Sequence, residues 1–303
     1  MADFASDIFS MEFNNDGTIY EGHLISITER MEQMCKHQDQ TYTGTAVDEV
    51  TGETFHYGMV TDGHGGNDCI RFLRSLTKKQ LAEILGKKNP VETMAKLVND
   101  NVRGYNCGGA TMIVVKVYKD RIECINCGDS QAAVFKDGAL LYLSKEHNWE
   151  DQAERERLLK TGNVFFTPST NIKVISKTQL VGCYTEYANF KNDNSMLACT
   201  QALGSNGKTG YAPHHEIIPL LPGSDYRIVI GSDGLWDMIN REEPEDTLQL
   251  SNMTADEGVN MVMSRWLQPW EMRQMDSDIV ENGQYSREHC DDICMIAMDI
   301  RAV

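Results

Sequence analysis

His56-Tyr-Gly-Met-Val-Thr61 runs without a break into Asp62-Gly-His-Gly-Gly66, and Arg227-Ile-Val-Ile-Gly-Ser232 runs likewise into Asp233-Gly-Leu-Trp-Asp237. Each is a short apolar strand that ends on Asp-Gly. The pattern returns where the strand Ile122-Glu-Cys-Ile-Asn126 is followed by Cys127-Gly-Asp129-Ser. It returns in reverse where Asp291-Asp292 stand directly before Ile293-Cys-Met-Ile-Ala-Met298. Any one Asp-Gly reads as a turn. Repeated at the mouth of several apolar strands, the aspartates leave a sheet core rather than a loop, and Gly63 and Gly234 free the adjacent backbone to approach an ion. Carboxylates gathered at one edge repel each other and shift their pKa values unless cations intervene. Oxygen ligands with water in the remaining positions suit Mg²⁺ or Mn²⁺. Two such ions about 3.5–4 Å apart are a recurrent device for displacement at phosphorus.

Around these strands the sequence predicts a layered α+β domain. Residues 67–85 read as one helix, with Ile70, Leu73, Leu76, Ile84 and Leu85 near one face, and a second helix opens at Pro90 and stops near Gly104. Strands follow at 110–118, 121–127, 132–135 and 139–143, joined by turns too short for a parallel crossover, so the pairing is antiparallel. A polar helix is expected over 151–160, ending at Gly162. Residues 226–231 form a strand, 235–239 open a helix, and Thr254-Ala-Asp-Glu257 is a capping box for a helix reaching Leu267. Residues 268–289 read as a polar loop before a last strand at 293–300, and residues 163–194 show no legible period. One domain with antiparallel strands throughout is the economical reading.

Composition narrows the function. With 45 acidic against 28 basic residues the 303-residue chain carries a formal charge of −17, which argues against nucleic acid or an anionic membrane as partner. No apolar run approaches the roughly 20 residues of a membrane span, and the opening MADFASDIFSMEF lacks a signal-peptide layout. Nine scattered cysteines, several in apolar runs, indicate a reducing intracellular compartment, cytoplasmic or nuclear. Cys124-Ile-Asn-Cys127 is a lone CxxC on a strand, whose sulfurs point to opposite faces. Trp266, Trp270 and Met272 read as core packing, and a monomer is expected.

The order of these motifs resembles the metal-dependent serine/threonine phosphatases, the protein phosphatase 2C family, over about residues 37–300. DGHGG (62–66), NCGDSQAAVF (126–135), CTQALGS (199–205), GSDGLWDMI (231–239) and CDDICMIA (290–297) are similar to that family's elements in the family's order. The resemblance implies a sandwich of two antiparallel β-sheets flanked by helix pairs, acting on phosphoserine and phosphothreonine proteins. It implies that Asp62 bridges two Mn²⁺ or Mg²⁺ ions, with the Gly63 carbonyl on one and Asp233 and Asp291 on the other. Asp129 and Asp233 would form a weaker third position. His64 would protonate the departing oxygen while a water bridging the ions attacks phosphorus in line. Residues 163–194 fall where the family has a mobile flap that shapes substrate choice.

The chain also departs from that pattern. The family's first strand reads R-x-x-x-E-D or R-x-x-N-x-D; here Lys36-His37-Gln38-Asp39-Gln40 is the best register, which makes Asp39 the water-mediated metal partner and puts Met34 at the arginine position. Arg30 and Lys36 share Met34's parity, so on a strand all three face one side, and either cation is a candidate for holding the phosphate. A second register, Arg30-Met-Glu32-Gln33, needs a longer hairpin. Gln201 replaces the arginine of the SRALGD element and Ser205 its aspartate, and Asp292 stands where asparagine is usual, adding an acid beside the metals. Two rival readings follow: a phosphatase-like fold kept as a binding module, and a nucleotide-binding phosphate loop at Ala202-Leu-Gly-Ser-Asn-Gly207-Lys208-Thr209. The loop reading is weakened by Pro213, since such a loop opens a helix. If the phosphatase reading holds, phosphopeptides with basic flanks are the expected substrates of so acidic a protein.

Overall fold

The computed structural model describes residues 18–20, 23–103, 108–191, 195–274 and 279–302, the first three as backbone. At its centre lie two antiparallel sheets. One has the order Thr18–Tyr20, His23–Glu32, Ile293–Ala302, Tyr226–Gly231, Gln131–Lys136, Ala139–Leu143. The other runs His214–Pro219, Arg121–Cys127, Met112–Val117, Thr54–Thr61, Gln40–Val47. Their facing sides meet through Ile27, Val60, Ile113, Val115, Ile228, Ile230, Ile296 and Met298. The outer faces are covered too. Phe55, Tyr57, Met59 and Val114 pack against the helices Asp68–Ser75, Lys78–Leu85 and Pro90–Asn101. Val229, Met295 and Ala297 pack beneath the helix Ala255–Leu267 with Trp236 and Val259. Both faces of the central strands are therefore dry, which is why they read as unbroken apolar runs rather than alternating ones. Cys124 faces the inter-sheet core and Cys127 the helix side, as strand alternation requires.

The structure corrects the expected elements in several places. The helix over 67–85 is two helices: Leu76 leaves helical geometry at φ −68°, ψ 129°. Thr77 then caps the second one in a reciprocal box with Gln80, a signal already present in Thr77-Lys-Lys-Gln80. The expected helix stop at Gly104 lies outside the described residues. Residues 163–194, as far as Lys191, are dominated by a long hairpin, Val164–Val174 with Gln179–Phe190. Residues 268–289 are not all loop, because Pro269–Arg273 and Val280–Gln284 extend the hairpin into a further sheet. In that sheet Gln179–Val181 pair parallel to Glu271–Arg273, so the strands are not antiparallel throughout. This sheet is anchored by Trp270, 1% exposed, whose Nε1 donates to the Arg265 carbonyl at 2.9 Å.

The phosphate-loop reading also falls. Thr209 is buried and its hydroxyl turns back onto Ala202, accepting from the amide at 3.1 Å and donating to the carbonyl at 3.2 Å. The segment Ser205–Gly207 is a single 3₁₀ turn, and the next regular element is the strand His214–Pro219. Gln201 is buried, and its amide pairs with both backbone groups of Ala212, at 2.8 and 3.0 Å, and with Glu154 at 2.9 Å. It braces this loop.

Under the Ala255–Leu267 helix, Arg265 forms a buried ion pair with Asp246, at 2.7 and 2.5 Å, and also donates to the Met238 carbonyl at 2.7 Å. Burial alone would raise the Asp246 carboxyl; Arg265 and the Asn240 N–H outweigh it and hold the group below its usual value. The stability it confers is present above the unfolded carboxyl pKa of about 4 and is lost as pH falls through the lowered folded value. Asp246→Asn strands the guanidinium and is expected to cost about 3–5 kcal/mol in urea unfolding at neutral pH. A loss below about 1 kcal/mol would mean the pair behaves as a surface one.

Candidate active site

Strand direction gathers the aspartates. Thr54–Thr61 and Arg121–Cys127 both pair antiparallel with Met112–Val117, so their C-terminal ends share an edge. Tyr226–Gly231 pairs antiparallel with Ile293–Ala302, which puts the end of the first beside the start of the second. Asp62, Asp233 and Asp291 meet there, with Asp233 close enough for its charge to act on both others. Burial and then the charge of Asp233 raise the Asp62 carboxyl well above its usual range, and the same two causes raise Asp291 and Asp129. Asp39, 1% exposed, stands behind them: its Oδ2 accepts from Ser232 Oγ at 2.6 Å. Burial again raises its pKa, the Ser232 bond opposes the shift, and Asp292, Asp233 and Asp291 add to it.

Buried polar contacts hold the strand ends in place. Trp236 Nε1 donates to the Gln131 carbonyl at 3.0 Å and Trp266 Nε1 to the Gly234 carbonyl at 2.8 Å, which pins the turn that carries Asp233. Thr111 Oγ1 accepts from the Asp62 amide at 3.2 Å and bonds Ser130 Oγ at 2.7 Å, tying the Asp62 turn to the one that follows Asp129. Gly63 and Gly234 are required by packing as well. A Cβ on Gly63 would strike Ile70 and Gln38, and one on Gly234 would strike the Asp292 carbonyl.

The two candidate cations separate. Lys36 Nζ contacts Asp291 Oδ2 at 2.6 Å. Burial alone would lower its ammonium pKa, but Asp291, Asp233 and Asp62 outweigh that and hold it well above the usual lysine range. Arg30 is not at the site: it pairs with Asp256 at 2.6 Å at the start of the Ala255–Leu267 helix. The parity expectation fails because the strand ends at Glu32, and the chain beyond it bends around Asp292. Met34 and Gln38 donate their amides to the two Asp292 oxygens at 2.7 and 2.6 Å. Asp292 is thus a bracket for this bend rather than an extra acid facing the ions. Met34 packs in the core with Leu235 and Trp236.

His64 lies in the two-residue strand Gly63–His64 beside Gly109. Both ring nitrogens are buried without a hydrogen-bond partner. Burial, and secondarily Lys36, push the imidazole down to about 4.

Next to this centre a cleft of about 360 Å³ separates Asp129, Asp233 and Asp237 from the long hairpin, with Trp149, Lys173, Tyr184 and Arg241 among its walls. Asp237 and Glu146 were not anticipated. Burial and Asp233 raise the Asp237 carboxyl, opposed by Arg241, and Arg241 pairs with Glu146 and donates to Gln131. The aspartate closing the GLWD stretch was a readable signal for Asp237; nothing local marks Glu146. A larger cavity of about 560 Å³ opens beside His37 and Arg74, with no aspartate in its lining.

A family profile described as Protein phosphatase 2C matches residues 29–257. The chain belongs to the protein phosphatase 2C family. It is 24% identical over 220 residues to probable protein phosphatase 2C 59 of Oryza sativa subsp. japonica, covering 67% of this chain and 60% of that protein. It is 23% identical over 216 residues to protein phosphatase 1B of Homo sapiens, covering 63% of this chain and 42% of that one. Both matches therefore span less than two thirds of the relative's length. The crystal structure of serine-threonine phosphatase 2C from Toxoplasma gondii superposes with a TM-score of 0.58 at 13% identity, over 96% of this chain and 99% of that one. A C. elegans sex determining protein gives 0.60 at 15% identity, over 91% and 64%. These likenesses show the shared fold.

Protein phosphatase 2C enzymes are metal-dependent, and the donor set here fits divalent cations. It is all oxygen, its carboxylates repel one another, and Asp233 Oδ1 is buried without a partner. Among the described residues, no three His, Cys, Asp or Glu side chains stand ready as the full ligand set of one ion. An ion that keeps most of its waters needs only one or two carboxylates.

The raised carboxyls of Asp39, Asp62, Asp129 and Asp237 have a linkage consequence. Their contribution to stability is full below the unfolded pKa of about 4 and is lost as pH rises through the raised folded values. In EDTA, the melting temperature should fall as pH rises from the unfolded value of about 4 through the raised folded values, and Mn²⁺ or Mg²⁺ should restore it. Asp62→Asn removes one repelling charge and should raise the EDTA melting temperature by about 2–4 °C. A flat pH profile, or a lower melting temperature for this variant, would contradict the mutual repulsion.

Proposed function

We propose that this chain is an active phosphoprotein phosphatase that hydrolyses phosphoserine and phosphothreonine with two Mn²⁺ or Mg²⁺ ions, possessing a single catalytic domain. The observation that carries the reading is the convergence of buried Asp62 with half-buried Asp233 and Asp291 at one sheet edge in a family member. Asp62, the Gly63 carbonyl, Asp233 and Asp291 would hold the two ions, with Asp129 and Asp233 at a weaker third position. Asp39 would act through a water, oriented by Ser232. Bound there, the ions supply a water of lowered pKa and positive charge facing the phosphoryl oxygens.

The chain's own groups do the rest. Lys36 lies within charge contact of Asp62, Asp233 and Asp291 and would turn its ammonium to the incoming phosphate, the role Met34 cannot fill. His64 is neutral at pH 7 with its pKa near 4. A phosphate dianion beside it offsets the Lys36 charge and favours the protonated ring, so the proton delivered to the leaving serine or threonine oxygen arrives with the substrate. The cleft carries Asp129, Glu146, Glu150, Asp237 and Glu242 against Lys173 and Arg241, which supports basic residues next to the phosphosite.

Purified protein should hydrolyse p-nitrophenyl phosphate and a phosphothreonine peptide with Mn²⁺ or Mg²⁺ and lose that activity in EDTA. Asp62→Asn and Asp233→Asn should lower kcat by about 10²-fold or more while remaining folded. Metal-independent turnover would reject the two-ion mechanism, and no turnover at any Mn²⁺ concentration would reject the enzyme and favour a binding module. His64→Ala should cost more on alkyl phosphates than on nitrophenyl phosphate, and equal losses would remove it from proton delivery.

Lys36→Ala should reduce kcat/KM on phosphopeptide about 10-fold or more, as expected for losing a charged contact. Arg30→Ala should leave it unchanged. The reverse ranking would return the phosphate role to Arg30.

A further inference from the structure

Cys35 and Cys290 stand one residue before Lys36 and one before Asp291. The strand register explains why they meet. His23–Glu32 and Ile293–Ala302 pair with Met31 opposite Cys294 and Glu32 opposite Ile293. Cys35 and Cys290 each lie three residues beyond that last pair, where the ladder no longer runs. The ladder stops because Met34 and Gln38 turn their amides to Asp292, yet the two segments stay in contact. Cys35 Sγ donates to the Cys290 carbonyl at 3.4 Å. That contact brings the Cys35 sulfur to the backbone of residue 290 itself, so the bend leaves the two side chains on neighbouring positions, as a disulfide requires. Cys35 is exposed, whereas Cys290 is buried, its Sγ directed at the Ser286 carbonyl at 3.3 Å. That is the arrangement of an accessible thiol backed by a sheltered resolving one.

We propose that Cys35 and Cys290 are a peroxide-sensitive pair that closes to a disulfide at the rim of the carboxylate centre and, when closed, holds Lys36 on Asp291 against divalent cations. The exposed Cys35 thiol releases its proton and its sulfur attacks the peroxide O–O bond; the O–O bond breaks, giving Cys35 sulfenic acid and a hydroxide that takes up that proton and leaves as one water. The Cys290 sulfur then attacks the sulfenic sulfur; the S–O bond breaks, and the departing hydroxide leaves as a second water with the Cys290 proton. The two thiols lose two electrons and one hydrogen peroxide takes them. Lys36 already contacts Asp291 Oδ2 at 2.6 Å. In the reduced protein, residue 35 can shift and let the ammonium lift away when an ion claims that oxygen. A covalent tie from residue 35 to residue 290 removes that freedom. This consequence rests on the divalent-cation reading of the site; the disulfide itself does not.

The full chain should be treated with hydrogen peroxide, alkylated, digested with trypsin and mapped by mass spectrometry. The expected product is the peptide of residues 31–36 joined to that of residues 288–301, released by dithiothreitol and absent in Cys35→Ser and Cys290→Ala. Because Cys35 is exposed, Cys35→Ser carries the control by itself if Cys290→Ala does not fold. By calorimetry the oxidised wild type should bind Mn²⁺ about tenfold more weakly, and peroxide should not change the affinity of Cys35→Ser. Oxidation that stops at Cys35 sulfinic acid, with Cys290 still open to alkylation after unfolding, would overturn the pair. A joined peptide with unchanged Mn²⁺ affinity would overturn the hold on Lys36. The peptide map needs neither turnover nor metal, so it fails separately from the phosphatase assignment.

Discussion

Repulsion between buried carboxylates is the constraint on which this structure turns. Asp62, Asp129, Asp237 and Asp291 are each raised by burial first and then by the charge of Asp233, and Asp39 by burial and then by Asp292, Asp233 and Asp291. A chain free to relax would spread them into water. Here four of them sit beside strand ends and Asp237 closes the short helix Asp233–Trp236 that follows one, and the strands are locked by apolar faces on both sides. Cohesion of the four-layer core therefore works against the charge, and the resulting tension is what a divalent cation can relieve. Trp236, Trp266, Thr111 and Ser130 direct that cohesion at the turns themselves, through hydrogen bonds to backbone or to one another.

The departures around residue 34 form one connected change. Met34 is buried among the residues beneath the Ala255–Leu267 helix, where a guanidinium would have no partner. Asp292 then uses both oxygens on the amides of Met34 and Gln38, and an asparagine amide offers only one acceptor oxygen for those two donors. The bend so formed turns Lys36 over Asp291. A point-charge ammonium thus reaches the centre from the loop, while Arg30 on the preceding strand is committed to Asp256.

Legibility in the sequence followed the range of the interactions. The apolar strands, the Thr254 capping box and the terminal aspartates were readable because burial on both faces and local capping leave marks within a few residues. The break at Leu76–Thr77 was equally local and was overlooked because the apolar period carries across it. The hairpin over 164–190 and the strands at 269–284 were not readable. Their residues are half-exposed and polar, so no alternation emerges, and their pairing depends on a parallel contact between segments some 90 positions apart.

The sequence by itself determined the family, the α+β class and which aspartates stand at strand ends, because each of those properties is written in short contiguous stretches. Only the tertiary structure decided which cation reaches the carboxylates, what Asp292 and the glycines are for, and that Asp237, Glu146 and the hairpin wall the cleft. Those outcomes depend on where a chain bends after its strand ends and on which distant backbone groups it then meets. Parity along a strand cannot carry that information past Glu32, where the strand stops.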